Sequence, residues 1–487
     1  MERRSIFSNL SPLDHRYYLA NREVFDALGA YLSEEAAILS CLRVEVALLS
    51  ALVRRDERFR GRESLLKELE GIPERISVEE IYEEEGRTHH NIRALVNVLG
   101  RQVPVEIRPL VHLGATSADI LDTARAVRLR GAVIDVILPL LIGVERRLIT
   151  LAAEEADTPQ IGRTHGQHAV PVTFGYAMCE YVSRLGGSIE RIEACARDLR
   201  GKLSGAVGAY NATALIVDSP EELERDFLAS QGLEASGHST QIVEPEHLLR
   251  LVQEINTCFG IVANLADDLR HLQRSEIKEV REAFAGSQVG SSTMPQKRNP
   301  WNSEHVKSLW KAFAPRVMTL YLDQISEHQR DLTNSASTRF VTEYLAGFTA
   351  AVHRMRKVLG DLGVDRARML KNLRSGGDLV MAEPLYILLA VAGEPDAHEV
   401  VRKLTLEAER RSCCLSEVVL EHGDVCERLA GVLHARLGVS VEDFLAHPEA
   451  YTGRAAARAK RIAEHYTRRM DELEGRIAQG ARPGGRA

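Results

Sequence analysis

Apolar residues recur along most of this chain at three- and four-residue intervals, the spacing of one face of an α-helix. From Ser33 the series Ala36, Leu39, Leu42, Val46 and Leu49 predicts a helix. Residues 52–80 read as short helices and turns. Another helix starts near His89 and His90 and turns Ile92, Leu95, Val96 and Leu99 inward. Thr116-x-x-Asp119 reads as a capping box. The helix it opens is predicted to run to about Asp157 through Ala126, Leu129, Val133, Ile137, Leu141, Val144, Leu148 and Leu151, with a kink at Pro139. Further helices are predicted over about 175–203, 245–275 and 302–329, with one more ending near Leu359. Beyond Asp361 the pattern shortens to helices over 378–392, 396–411, 413–421 and 424–436, then a charged one over about 454–478. The tail from Gly480 reads as disordered.

Strand alternation is almost absent, so the expected class is all-α, with long central helices packed as a bundle. Faces on helices this long exceed what one chain covers, which predicts a helical-bundle oligomer. Three segments are expected: an N-terminal helical domain over 1–111, a central long-helix domain over 112–361, and a C-terminal helical domain over 362–487.

Composition narrows the function classes. The 487 residues are enough for two or three packed units around a large core. With 62 basic against 69 acidic residues the net charge is -7, which disfavours binding nucleic acid through bulk charge. Aromatics at 5% argue against stacking surfaces for single strands. A small anionic substrate needs only a local positive cluster and stays open. Seven cysteines with no C-x-x-C spacing suggest reduced thiols and a cytoplasmic location. No metal site is expected, because no ligand-spaced Cys/His set and no H-E-x-x-H occurs. Nothing in Met1–Ser5 has the apolar character of a signal peptide, and the apolar run Val133–Val144 is too short to span a bilayer. The expectation is therefore a protein without membrane or nucleic-acid partners.

Four polar stretches interrupt the helical pattern. Gly286 to Pro300 reads as a loop, with Gly286 and Gly290, the pair Ser291-Ser292, then Met294-Pro295 and Gln296-Lys297-Arg298-Asn299. Taken alone it fits a plain helix connector as well as a site. It is not a phosphate-binding P-loop, since no Gly-Lys-Ser/Thr follows the glycines. Val111–Thr123 places Thr116 and Ser117 at a helix start, where free N–H groups also suit a carboxylate. Gly162–Gly175 reads as a loop carrying Arg163-Thr164-His165-Gly166-Gln167-His168. The turn Ser11-Pro12-Leu13-Asp14-His15-Arg16-Tyr17 lies near the N-terminus.

The first three of these strings resemble the three signature regions of the fumarase/aspartase superfamily, in the same chain order. The resemblance runs from about Ser11 to beyond 400. His112-x-Gly-x-Thr-Ser-x-Asp, Arg163-Thr-His-Gly-Gln-His, Ser239-Thr240-Gln241 and Gln329-Arg330-Asp-Leu-Thr-x-Ser335-x-x-x-Arg339 are similar to the branch that acts on succinylated purine nucleotides. The resemblance implies an elimination that releases fumarate from a small succinyl-purine nucleotide, with no cofactor. It implies a homotetramer whose active sites are shared between subunits.

Carried over by residue, Ser291 would be the base that removes the succinyl Cβ proton, and His165 the acid that protonates the leaving nitrogen. Lys297 and Asn299 would hold the carboxylate that takes up the developing charge. Thr116 and Ser117 would bind a substrate carboxylate, with His112 nearby. His90 would lie near the phosphate or the acid. Arg16, Tyr17, Arg330, Ser335 and Arg339 would hold phosphate and ribose, while Gln241 and Glu304 support orientation. Asn91, Thr164, Ser292 and Met294 fall in the same strings and are assigned to substrate binding with them. The chemistry is coherent: a proton beside a carboxylate is weakly acidic, and its removal needs preorganised positive charge and N–H donors. A serine base also needs a lowered barrier to losing its proton, from Lys297 and from desolvation as the loop closes.

Several positions depart from the branch. Gln296 stands where His is common, and Gln there is typical of the argininosuccinate-cleaving branch. Asn91 replaces an Asp, His305 an Asn, and Thr338 stands where some relatives carry Glu. These changes bear on the nitrogen half of the substrate and leave the base, acid and lysine in place. The alternatives are an argininosuccinate- or carboxymuconate-type member, or a non-catalytic structural relative.

Overall fold

A computed structural model describes residues 4–284, 293–375 and 377–480. The architecture is all-α: helices dominate, and the described strands are three two-stranded pairings. The chain forms two compact units. One comprises Met1–Ile142, Gly187–Ala263 and His305–Arg354; the other comprises Gly143–Gly186, Asn264–Glu304 and Met355–Ala487.

The helix Glu34–Arg55 anchors the first unit. Ser33 caps it by accepting from the Ala36 N–H at 3.1 Å. Acidic Glu34 and Glu35 open it and Arg54 and Arg55 close it, matching the helix dipole at both ends. Leu42, Leu48 and Leu49 are fully buried on it. It packs against the helices Ser117–Gly131 and Pro220–Ser230. Among the described residues the stretch 22–55 is long and apolar enough to cross a membrane, but 67% of its apolar window is buried inside the protein. That burial, and Glu45 on its inner face, mark it as a core element.

The expected continuous helix from residue 117 is three pieces: an α-helix over Ser117–Gly131, a π-helical turn over Ala132–Ile137, and an α-helix over Leu138–Glu154. Pro139 lacks a donor and its ring crowds the preceding turn. The wider π turn just before it accommodates both effects, so the irregularity precedes the proline. The helix expected over 302–329 also stops early. It runs Trp301–Phe313, tightens to a 3₁₀ turn over Ala314–Arg316 at Pro315, and ends with Val317–Leu322.

The second unit contains a correction to the all-loop reading of 162–175. Pro159–Thr164 and Gln167–Thr173 pair as an antiparallel hairpin. Its register shifts by one residue between Ile161 and Arg163, so that Ala169 and Val170 of the second strand bulge opposite Gly162. A Cβ at Gly162 would lie 2.7 Å from the Val170 carbonyl oxygen, so the position facing the bulge requires glycine. The C-terminal helices Ala382–Val391, Ala397–Arg411, Leu415–Glu421 and Gly423–Leu437 enclose Leu385, Leu389, Leu404, Leu415, Val418, Leu429 and Leu433. Their bounds follow the expected ones closely, except that the first turns expected from 378 form a 3₁₀ segment, Gly377–Met381.

Glu145, in the second unit, is fully buried, and neither carboxyl oxygen has a partner among the described residues. Burial alone holds its pKa well above the usual carboxylate range. The folded protein therefore keeps a proton that the unfolded chain releases. Such a group supports the fold below the unfolded carboxylate pKa of about 4.3, and that support is lost as pH rises above it. Glu145→Met is thus expected to raise the thermal midpoint at pH 7.5, with the gain shrinking toward pH 4.5. Unfolding scans across that range check this; a gain independent of pH would contradict it.

Candidate functional site

The first unit assembles the helix start at Thr116. The Thr-x-x-Asp capping box is present, with the Thr116 N–H donating to Asp119 Oδ2 at 2.8 Å. Asp119 is fully buried and its other oxygen receives the Lys202 ammonium, which is fully buried as well. The Ser204 and Gly205 N–H groups also donate to Asp119 Oδ1, at 3.1 and 3.3 Å, while Lys202 donates to the Gly205 carbonyl at 3.0 Å. This network ties the small-residue segment after Gly201 to the helix that presents Thr116 and Ser117. Both of those residues are half-buried.

Gln241 joins the same place. Its Nε2 donates to Thr116 Oγ1 at 3.4 Å, and its backbone N–H donates to the Gln329 carbonyl at 3.3 Å. The side-chain oxygens of Gln241 and Gln329 are both buried and unpartnered among the described residues. Arg330 follows in the left-handed region at φ +79° and donates to the Gln324 carbonyl at 3.0 Å. The geometry therefore brings Thr116, Gln241 and the start of the 329–339 segment together from three distant stretches.

His112 also adopts a left-handed backbone, φ +59°, and Gly114 follows at φ +81°. A Cβ on Gly114 would lie 2.9 Å from Thr213 Cγ2, so the segment needs glycine there. The His112 Nδ1–H meets Glu45 Oε1 at 2.6 Å. Burial pushes the imidazole pKa down, but Glu45 more than reverses this and the net direction is upward.

Other assigned residues of this unit lie around it. His90 caps the helix Asn91–Gln102, its Nδ1 accepting from the Arg93 N–H at 3.2 Å, and both His90 and Asn91 are exposed. Tyr17 Oη is 3.0 Å from His305 Nε2, so one departure from the family pattern contacts an assigned nucleotide-binding residue. Partial burial, then Arg354, lowers the His305 pKa. Arg16, Ser335 and Arg339 are exposed.

In the second unit His165 occupies the hairpin tip. His165 (φ +55°) and Gly166 (φ +75°) form the two-residue connection that suits the twist of a hairpin. Thr164 and His165 are exposed. The stem is held from behind: Arg163 donates to both oxygens of fully buried Glu279, at 2.7 and 3.2 Å. Gln160 and Asn372 each donate to Glu279 at 2.8 Å. His168, on the second strand, sits below the ordinary imidazole pKa because of partial burial and then Arg163.

Of the loop expected at 286–300, Ser291 and Ser292 lie outside the described residues. Met294, Gln296 and Lys297 are exposed, Asn299 is half-buried, and the Lys297 N–H donates to the Met294 carbonyl at 3.0 Å. Glu282 caps the following helix, accepting from the N–H groups of Asn302 at 3.2 Å and Ser303 at 2.8 Å. Glu304 stands exposed in that helix's first turn. Among the described residues no group of His, Cys, Asp and Glu is arranged to hold a metal ion.

Glu45, Lys202, Glu279 and Glu282 support these segments and went unnoticed in the sequence. Glu45 carried a signal: a charged residue three positions after Leu42 and four before Leu49, on an otherwise apolar face.

A family model described as lyase matches residues 62–314, and one described as adenylosuccinate lyase C-terminal matches 326–435. An adenylosuccinate lyase of Pyrococcus horikoshii is 33% identical over 96% of this chain and 99% of its own length. That of Aquifex aeolicus is 32% identical over 82% of this chain and 91% of its own. Among solved structures, a fumarate lyase from Mesorhizobium superposes with a TM-score of 0.77 at 23% identity, covering 90% of this chain and 97% of that one. A 3-carboxy-cis,cis-muconate lactonizing enzyme from Pseudomonas putida gives 0.76 at 25% identity, covering 94% and 100%. The last two similarities speak to the fold.

Proposed function

The chain belongs to the adenylosuccinate lyase family, and from that premise we propose that it releases fumarate from adenylosuccinate to give AMP. The same elimination on the succinyl carboxamide ribotide (SAICAR) would give the free carboxamide (AICAR). The observation that carries the reading is the likeness to adenylosuccinate lyases over 96% of the chain. The clustering of Thr116, Gln241 and Gln329 at a half-buried helix start supports it locally.

In this reading Ser291 takes the Cβ proton and its electron pair moves toward the adjacent carboxylate, which Lys297 and Asn299 stabilise. The C–N bond then breaks and His165 delivers a proton to the departing nitrogen. Thr116 and Ser117 hold a carboxylate through hydroxyls and N–H groups. Arg16, Tyr17, Arg330, Ser335 and Arg339 hold the nucleotide's phosphate and ribose. No step calls for a metal or an organic cofactor.

A homotetramer with shared sites is part of the proposal. Its support is an exposed apolar series in the first unit: Met318, Leu322, Ile325, Leu332 and Phe340, with Ile325 and Leu332 at least 80% exposed. A cytoplasmic location is supported by seven cysteines that form no disulfide.

Purified protein incubated with adenylosuccinate, without added metal, should release fumarate and AMP together. No turnover of either purine substrate would overturn the reading. Arg339→Ala should raise KM several-fold with little change in kcat, because a phosphate contact remote from the breaking bond binds ground state and transition state alike. Steady-state kinetics check this, and an unchanged KM would remove Arg339 from the phosphate site.

A further inference from the structure

Glu45 has no role in the elimination described above, yet its situation is unusual. It sits on the inner face of the apolar helix Glu34–Arg55 and is fully buried. Oε1 meets His112 Nδ1 at 2.6 Å, while Oε2 is buried and unpartnered among the described residues. Among the described residues no lysine or arginine pairs with it. A carboxylate removed from water without a counter-charge is strongly disfavoured. The imidazole is the group within reach that can supply that charge, and its side chain is 23% exposed, so the second nitrogen can still reach solvent or a ligand.

We infer that Glu45 is a positioning residue that fixes His112 through Nδ1 and keeps it cationic, so that Nε2–H is offered to an anionic group of the substrate beside Thr116 and Ser117. The inference rests on the proposed function for the identity of that anion, and on the structure alone for the pair. The charges facing the ring are Glu45 and Asp119, which favour the cation, and Arg93, which opposes it. The left-handed backbone at His112 limits how the ring can be placed, and the buried carboxylate selects one placement. A bidentate use of Glu45 is not needed: the bond at Nδ1 leaves Nε2 as the remaining donor.

The test begins with the full-length protein and the ring signals of His112, assigned by their loss in His112→Gln. In the wild type the His112 titration midpoint should lie above that of an ordinary imidazole, and Glu45→Gln should lower it by roughly one pH unit or more. In parallel, the KM for adenylosuccinate should rise at lower pH in Glu45→Gln than in the wild type, with kcat changing less than KM. Glu45→Asp, which keeps the charge but shortens the reach, should recover part of the midpoint shift. A wild-type midpoint at or below the ordinary value overturns the pairing even if Glu45→Gln does not fold. An unchanged KM profile beside a shifted midpoint overturns the substrate role. Failure of the wild type to release fumarate would instead refute the proposed function, and the titration would still decide the pair.

Discussion

His165→Asn is expected to lower kcat by a factor on the order of 10² or more, the range for losing a positioned general acid. The thermal midpoint should stay within a degree or two of wild type. Asparagine is the informative choice because of the backbone. His165 sits at φ +55°, where Asn is tolerated far better than Ala. His165→Ala would mix loss of the acid with strain in a two-residue turn. The side chain is exposed at the hairpin tip, so its removal leaves no buried cavity. The stem is held by Arg163, Gln160 and Asn372 on Glu279, none of which the substitution touches. Steady-state kinetics with both purine substrates, beside a thermal scan, check the result. A kcat within threefold of wild type would sink the assignment of His165 as the acid. If the loss falls on KM instead, His165 binds the substrate and another group donates the proton.

How much was legible depended on whether the signal was local. The helix Glu34–Arg55 was readable because its cap, its terminal charges and its apolar period all lie within one stretch. The C-terminal helices were readable from their apolar period, without side-chain caps. The hairpin at 159–173 was not. Its alternation is broken by the bulge at Ala169-Val170 facing Gly162 and by Pro171, which mimic loop composition. The end of the helix at Leu322 was missed because the helical spacing of apolar residues continues past it. Those side chains, among them Ile325 and Leu332, are exposed rather than buried in this chain. For the site, the polar strings were visible in the sequence but their supports were not. Glu45 lies 67 positions from His112, and Asp119 lies 83 from Lys202. No periodicity links residues so far apart, so only the folded chain pairs them.

That second pair carries the largest stability effect expected here. Lys202→Met should destabilise the first unit by about 3–5 kcal/mol, the usual cost of stripping one partner from a buried ion pair. The side chains of Lys202 and Asp119 are both fully buried, so water cannot screen what remains. Asp119 would keep three backbone donors, from Thr116, Ser204 and Gly205, but lose its counter-charge. The loss of the counter-charge should also loosen the segment after Gly201 against the helix start at Thr116, which predicts a raised KM in the folded fraction in addition to the lower midpoint. Denaturant unfolding at fixed protein concentration measures the first effect, and initial rates measure the second. A loss below about 1 kcal/mol, in the range of an exposed pair, would show that the network around Asp119 does not depend on Lys202.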